Sequence, residues 1–292
     1  MSVPEKQSID QTGLLRAERI DAHHHLWKYS REEYPWMLEG MDSIRRDFLL
    51  EELNEVRRQG SIDAVVTVQA RQSLTETDWL LHLASRHGVM RAVVGWVPLT
   101  DSSIASVLEH YSTFPKLRSV RHVLHDEADD FYMLRNDFNK GIAFLEEFRL
   151  AYDILVFERH LPQTIKFVDL HPNQVFILDH IGKPRIRDRS LSPWREHIHE
   201  LAKRENVYCK LSGLVTEANW NQWTEADLRP YIDVVLERFG PERVMFASDW
   251  PVSLVACAYA RWVDIVTRAI SQLTSGEKDA VFGGTAKKAY NF

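Results

Sequence analysis

Short apolar runs rich in β-branched residues recur along the chain, separated by longer stretches in which apolar residues return every three or four positions. The runs cover residues 19–25 (RIDAHHH), 63–70 (DAVVTVQA), 91–97 (RAVVGWV), 117–124 (LRSVRHVL), 152–157 (YDILVF), 174–180 (QVFILDH), 207–213 (VYCKLSG) and 243–249 (RVMFASD). Each is close to the length of a buried strand. They read as continuous apolar runs rather than clean alternation, which marks strands covered on both faces. Between them, residues 44–60 place Phe48, Leu49, Leu53 and Val56 at helical spacing and stop at Gly60. Residues 75–88, with Leu80, Leu81 and Leu83, stop at Gly88, and 134–150, 193–205 and 227–240 repeat the pattern. Strands alternating with helices of this length predict parallel βα units. Eight of them in roughly 230 residues predict an α/β fold closed into a single (β/α)8 TIM barrel, slightly distorted at most, rather than a doubly wound sheet. No GxGxxG turn follows any strand, so a dinucleotide-binding fold has no support. No Pro/Gly/Ser-rich linker or short repeat divides the chain. The reading is one domain over residues 19–292, preceded by a polar, mixed-charge stretch, residues 1–18, expected to be a flexible tail.

Composition narrows the partners. A net charge of −6 gives no basic footprint, so nucleic acid is not an expected partner. No apolar run approaches the roughly 20 residues of a membrane helix, and the first residues carry no apolar export segment. Two cysteines, Cys209 and Cys257, make no disulfide framework and fit a reducing compartment. A cytoplasmic protein acting on a small molecule is expected, with room for a homo-oligomer.

Reactive groups of a barrel belong at the C-terminal ends of its strands. The first run ends Asp21-Ala22-His23-His24-His25. Period-two geometry puts residues 21, 23 and 25 on one face, so His23 and His25 converge in the mouth while His24 faces the helical shell. The sixth run ends at His180 and the eighth at Asp249. Any one of these alone is a weak signal, because single histidines and an Asp before Trp-Pro have ordinary structural uses. Together, on strands one, six and eight, they predict a catalytic rim. A His-x-His pair at a strand end is also suited to hold a metal. Asp249, ionised, can take a proton from an attacking water. The histidines can polarise a carbonyl directly or through a metal.

This combination resembles the amidohydrolase superfamily. Trp27 and the Tyr34-Pro35-Trp36 loop, VRHVLHDEAD (120–129), ILDHIGKP (177–184), KLSGL (210–214) and FASDWPV (246–252) resemble its sugar-lactone hydrolase branch, related to L-fuconolactonase and L-rhamnonolactonase. The resemblance implies a hydrolase that opens the ester ring of an aldonolactone, with Asp249 as general base and His23, His25 and His180 polarising the carbonyl. The metal set it implies is His23, His25 and Asp249, holding at most one divalent ion, zinc before others, or none. Binuclear members bridge their metals with a strand-four lysine or glutamate, and here Arg121 and His122 stand there instead. The strand-five histidine of such sites has only His160 as a counterpart, at or past the strand's end. Substrate contacts are expected from Trp27, Tyr34, Trp36, Arg71, Arg121, His122, Lys183 and Trp250; the aromatic loop can equally be a packing plug, and the arginines outer salt bridges. Asp179 is expected to point away from His180 in a structural role, and the run His125 to Asp130 to be a solvated loop. Two other readings stay open: a pyrone-dicarboxylate lactonase and a metal-dependent decarboxylase.

Overall fold

The computed structural model describes residues 8–9 and 15–292, with side chains from Arg16 onward. Eight strands pair in parallel in chain order: β1 (Ile20–His24), β2 (Ala64–Val68), β3 (Met90–Gly95), β4 (Leu117–His122), β5 (Ala151–Ile154), β6 (Phe176–Leu178), β7 (Val207–Leu211) and β8 (Val244–Phe246). The seam between β8 and β1 closes beyond the end of β8. There His24 bridges Trp250, the Asp249 N–H donates to His23 O at 2.9 Å, and the His25 N–H donates to Trp250 O at 2.7 Å. The barrel predicted from periodicity is the barrel observed.

Helices α1 (Leu50–Gln59), α2 (Leu74–Arg86), α3 (Ile104–Tyr111), α4 (Asn136–Glu147), α5 (Leu161–Asp169) and α6 (Trp194–Leu201) follow strands one to six. After β7 come the single turn α7 (Leu214–Glu217) and α8 (Glu225–Phe239); after β8 come α9 (Tyr259–Ala269), α10 (Ser275–Asp279) and α11 (Thr285–Tyr290). Inward positions at the foot of the barrel are small or slender (Ala22, Ala64, Val66, Ala92, Val94, Ala247), and Ala286, Ala289 and Tyr290 of α11 pack among them. The larger apolar side chains, Phe176, Phe246 and Trp262 among them, lie between sheet and helices. The first helix starts at Leu50 rather than near residue 44 because Phe48 is taken into a backbone bridge with Trp27.

The face assignment on β1 is corrected by the structure. Asp21 pairs with Val65 and His24 with Thr67, so three steps on β1 match two on β2. The extra residue is a β-bulge, which breaks the two-residue alternation. Ile20 and Ala22 face inward, and Asp21 turns to the outside, where it receives the Tyr259 hydroxyl of α9. His23 nonetheless points in, so residues 21 and 23 do not share a face. His24 lies toward the shell as expected, its Nε2 2.8 Å from Thr67 Oγ1. Residues 1–7 and 10–14, most of the expected tail, lie outside the described residues. Ser8–Ile9 pairs with Leu15–Arg16 in an antiparallel ribbon, and the Arg16 and Glu18 side chains reach Asp63 and Arg91 at the foot of the barrel. Among the described residues no helix is long and apolar enough to cross a membrane.

Candidate active site

His180 and Asp249, read from the sequence as the last residues of their strands, lie past the observed ends: β6 stops at Leu178 and β8 at Phe246. Both take left-handed backbone, φ +53° and +56°, unusual for residues with a Cβ. Such turns swing each side chain back over the mouth. Gly213 (φ +70°) makes room for one of them, since a Cβ there would stand 2.6 Å from His180 Cβ.

The four side chains converge. Asp249 Oδ1 is 3.5 Å from His25 Nε2, 3.8 Å from His23 Nε2 and 3.9 Å from His180 Nε2, and the two β1 imidazoles are 3.1 Å apart at Nε2. His25 Nδ1 donates to Val68 O at 2.9 Å, which leaves the Nε2 lone pair facing the mouth. His180 Nδ1 is 2.9 Å from Ser212 Oγ. Ligand atoms around a tetrahedral zinc with bonds of about 2.0–2.1 Å stand about 3.3–3.4 Å apart. His23 Nε2, His25 Nε2 and Asp249 Oδ1, at 3.1, 3.5 and 3.8 Å from one another, lie within about half an ångström of that spacing. A second grouping, His23 with Asp179 and His180, shares the same imidazole. Strand four offers no bridging ligand, since Arg121 is paired to Asp179 at 3.0 Å. His160 turns its Nε2 to Asp130 at 2.8 Å and its Nδ1 to the Phe157 N–H.

Burial decides the charge states. It holds the His23 imidazole well below its usual value and lowers His180 to about 4, so both are neutral near pH 7. Burial alone would push the Asp249 carboxyl up, but facing His180 and His25 outweighs it and holds the acid below the ordinary aspartate range. A carboxylate beside the neutral imidazoles of His23 and His180 can accept a proton from water while these imidazoles donate hydrogen bonds or ligate.

Behind His23 lies an ionic layer that sequence reading did not find. Asp179 does not stand aside: its Oδ1 is 3.3 Å from His23 Nδ1 and 2.9 Å from the Lys210 ammonium. Lys210 also contacts Asp153, which accepts the Ser119 hydroxyl at 2.6 Å and the Tyr290 hydroxyl at 2.8 Å. All of these are fully buried except Tyr290, which is nearly so. The available signal was Lys210 at an inward position of an otherwise apolar run, a placement that requires a partner.

The expected substrate contacts divide. Trp27 is fully buried, its indole N–H on Arg46 O, and Tyr34 is buried with its hydroxyl toward Glu76. Trp250 is buried edge-on against Phe48. Trp36 is partly exposed, edge-on over Trp27 at 5.8 Å. Arg71 is engaged by Glu33 and Glu76, Arg121 by Asp179 and the Gln69 carbonyl, and Lys183 by Glu217 at 3.1 Å. His122 is 2.6 Å from Glu127 and stacks on Tyr132. His125, expected in a solvated loop, is instead packed on Phe157 with ring centroids 4.5 Å apart, and its Nδ1 has no protein partner.

Three imidazoles and one carboxylate converge at the C-terminal mouth of a closed (β/α)8 barrel, an arrangement suited to a hydrolase. The family follows directly. Residues 20–292 match the amidohydrolase family profile, and the chain belongs to that family. It is 42% identical over 288 residues to the L-fucono-1,5-lactonase of Burkholderia multivorans, an alignment covering 94% of this chain and 97% of that one. It is 34% identical to the L-fucono-1,5-lactonase of Burkholderia ambifaria, covering 93% of this chain and 95% of the relative. The crystal structure of a Burkholderia multivorans amidohydrolase with bound zinc aligns with a TM-score of 0.91 at 41% identity, over 94% of this chain and 100% of that one.

Proposed function

We propose that the protein is a lactonase that hydrolyses the ring ester of an aldonolactone of the L-fucono-1,5-lactone type, L-rhamnonolactone being the next candidate. The observation that carries the reading is the convergence of His23, His25 and His180 within 3.9 Å of the Asp249 carboxylate. The resemblance to the two named lactonases along nearly the full chain supports the substrate class.

In this mechanism the lactone carbonyl lies over the mouth, and the Nε2–H groups of His23 and His180 steady the oxyanion as water attacks. Asp249 removes a proton from that water as the carbon–oxygen bond forms. The ring C–O bond then breaks, the departing alkoxide takes up the proton, and the hydroxy acid ionises, releasing one proton to solvent. His25, fixed by Val68 O, and His180, fixed by Ser212, keep their orientation through the cycle. A divalent ion would be held by His23, His25 and Asp249 and would supply Lewis-acid polarisation of the carbonyl. One ion at most is expected, because Arg121 and His160 are committed elsewhere.

The dicarboxylate reading is disfavoured by the same pairings. Arg71, Arg121, Lys183 and Lys210 each meet an acid of the protein, so each of the two substrate carboxylates would have to displace one. A neutral polyol does not. A pH-indicator assay across sugar lactones and a pyrone dicarboxylate tests this. L-Fucono-1,5-lactone or a close stereoisomer should be turned over at least about tenfold more efficiently than the dicarboxylate, a margin of about 1.4 kcal/mol. No turnover of any sugar lactone would overturn the reading, and a strict metal requirement with carbon dioxide release would favour the decarboxylase.

A further inference from the structure

His23 has two ring nitrogens and two rival sets of partners. In one set the Lys210 ammonium donates to Nδ1 at 3.1 Å, and the proton sits on Nε2, facing His25 Nε2 at 3.1 Å. In the other the proton sits on Nδ1 toward Asp179 Oδ1 at 3.3 Å, and Arg121 Nη1 approaches Nε2 at 3.4 Å. The first set is shorter at both ends. Each set leaves like against like at both ends, but not at the same range. The first carries the milder conflicts, with Asp179 Oδ1 against the Nδ1 lone pair at 3.3 Å and an Arg121 N–H against the Nε2 proton at 3.4 Å. The second sets a Lys210 proton against the Nδ1 proton and the Nε2 lone pairs of His23 and His25 against each other, both at 3.1 Å. His25 has no freedom to relieve this, because its own proton is given to the Val68 carbonyl. Lys210 has none either. An ammonium has three protons and no lone pair, and it is held from two sides by Asp153 and Asp179. Asp153 is itself fixed by Ser119 and Tyr290.

We infer that Lys210 is a positioning residue that holds His23 as its Nε2–H tautomer in the ion-free protein, so that a divalent ion can be taken up only when that proton moves to Nδ1 and Asp179 accepts it. Metal ligation needs the Nε2 lone pair, and a carboxylate behind the imidazole is the usual device for securing the opposite tautomer. Here that carboxylate is present, but the ammonium beside it competes. The ion-free site therefore presents an imidazole N–H to the mouth, and Lys210 weakens ion binding.

The test uses the full chain, labelled with ¹⁵N-histidine and stripped of metal. Long-range ¹H–¹⁵N spectra, assigned with His23→Asn, should show His23 protonated on Nε2, and zinc loading should move the proton to Nδ1. An Nδ1 proton in the stripped protein, or an unmoved Nε2 proton in the zinc-loaded protein, would overturn the inference. The charge-balanced variant Lys210→Met with Asp153→Asn removes one cation and one anion together. Measured by chelator competition, its zinc affinity should rise about tenfold or more, the scale of such supporting contacts. A folded variant with unchanged or lower zinc affinity would sink the role of Lys210. If the variant does not fold, the two wild-type spectra still decide. None of these measurements needs a lactone, so they stand or fall apart from the proposed reaction.

Discussion

At the scale of single residues, the chemistry asks for one base that stays ionised in a buried mouth. Asp249 meets that demand because the surrounding imidazoles outweigh the cost of burial. Asp249→Asn keeps the shape of the mouth and removes the proton acceptor. A positioned general base contributes about 10²–10⁴-fold, so kcat should fall by at least about a hundredfold. The loss should lie mainly in kcat rather than KM, because the base acts in the transition state. Steady-state kinetics on the substrate found by the lactone screen checks this, and a variant retaining most of its kcat would remove Asp249 from the role. A purely ligating Asp249 behaves differently: excess zinc would restore the variant. His23, His25, His180 and Asp249 were legible in the sequence because each stands at the C-terminal end of an apolar run, where a barrel exposes its residues. Lys210 and Asp153 were not. They meet across 57 residues of sequence, and a buried charge in a strand reads as polar noise until its partner is located.

At the scale of elements, the strands and helices were readable from periodicity, and their ends were not. The apolar run around 174–180 continues through His180, but the backbone leaves the sheet after Leu178 because Asp179 and His180 turn to meet His23 and Asp249. The bulge on β1 was hidden for a related reason, since nothing in IDAHH distinguishes an alternating strand from one with an inserted residue. The loop between β1 and α1 tests how far element-level reading goes. Its expected stacking aromatics separate by depth: Trp27 is sealed in by Tyr34, Trp36 and Phe48, and Trp36 is the outermost. Trp27→Ala should therefore act on stability, costing about 3–5 kcal/mol as a large buried ring is lost. Trp36→Ala should leave the melting temperature nearly unchanged and lower kcat/KM about tenfold, the value of one stacked ring. The pair is checked by thermal melts beside kinetics. A lowered melting temperature with unchanged kinetics for Trp36→Ala would make the whole loop a packing plug.

At the scale of the molecule, the barrel buries several histidines in neutral form, at its mouth and toward its shell, and this ties stability to pH. Burial lowers His24 to about 3, His125 to about 2 and His180 to about 4. The unfolded chain protonates these groups near 6.5, so below that pH the unfolded state binds protons that the native state refuses. Their contribution is complete above about 6.5 and is lost as pH falls toward the folded values. Asp21 works in the opposite sense: burial raises its carboxyl to about 6, so the native state takes up a proton before the unfolded chain does. The net slope is a difference of several such groups, and a single substitution isolates one. His125 is suited to this, its side chain being 13% exposed and stacked on Phe157. His125→Gln keeps a polar side chain and removes the titration. Between pH 6 and pH 5 the wild type should lose about 1.2 kcal/mol more than the variant, just under the value of one proton per pH unit because the unfolded imidazole is not yet fully protonated at pH 6. In a chain of this size that is roughly 2–4 °C of additional fall in melting temperature. Paired melts of both proteins at pH 7.5, 6 and 5 measure it, and parallel curves for the two would mean that His125 is protonated in the native state as readily as in the unfolded chain.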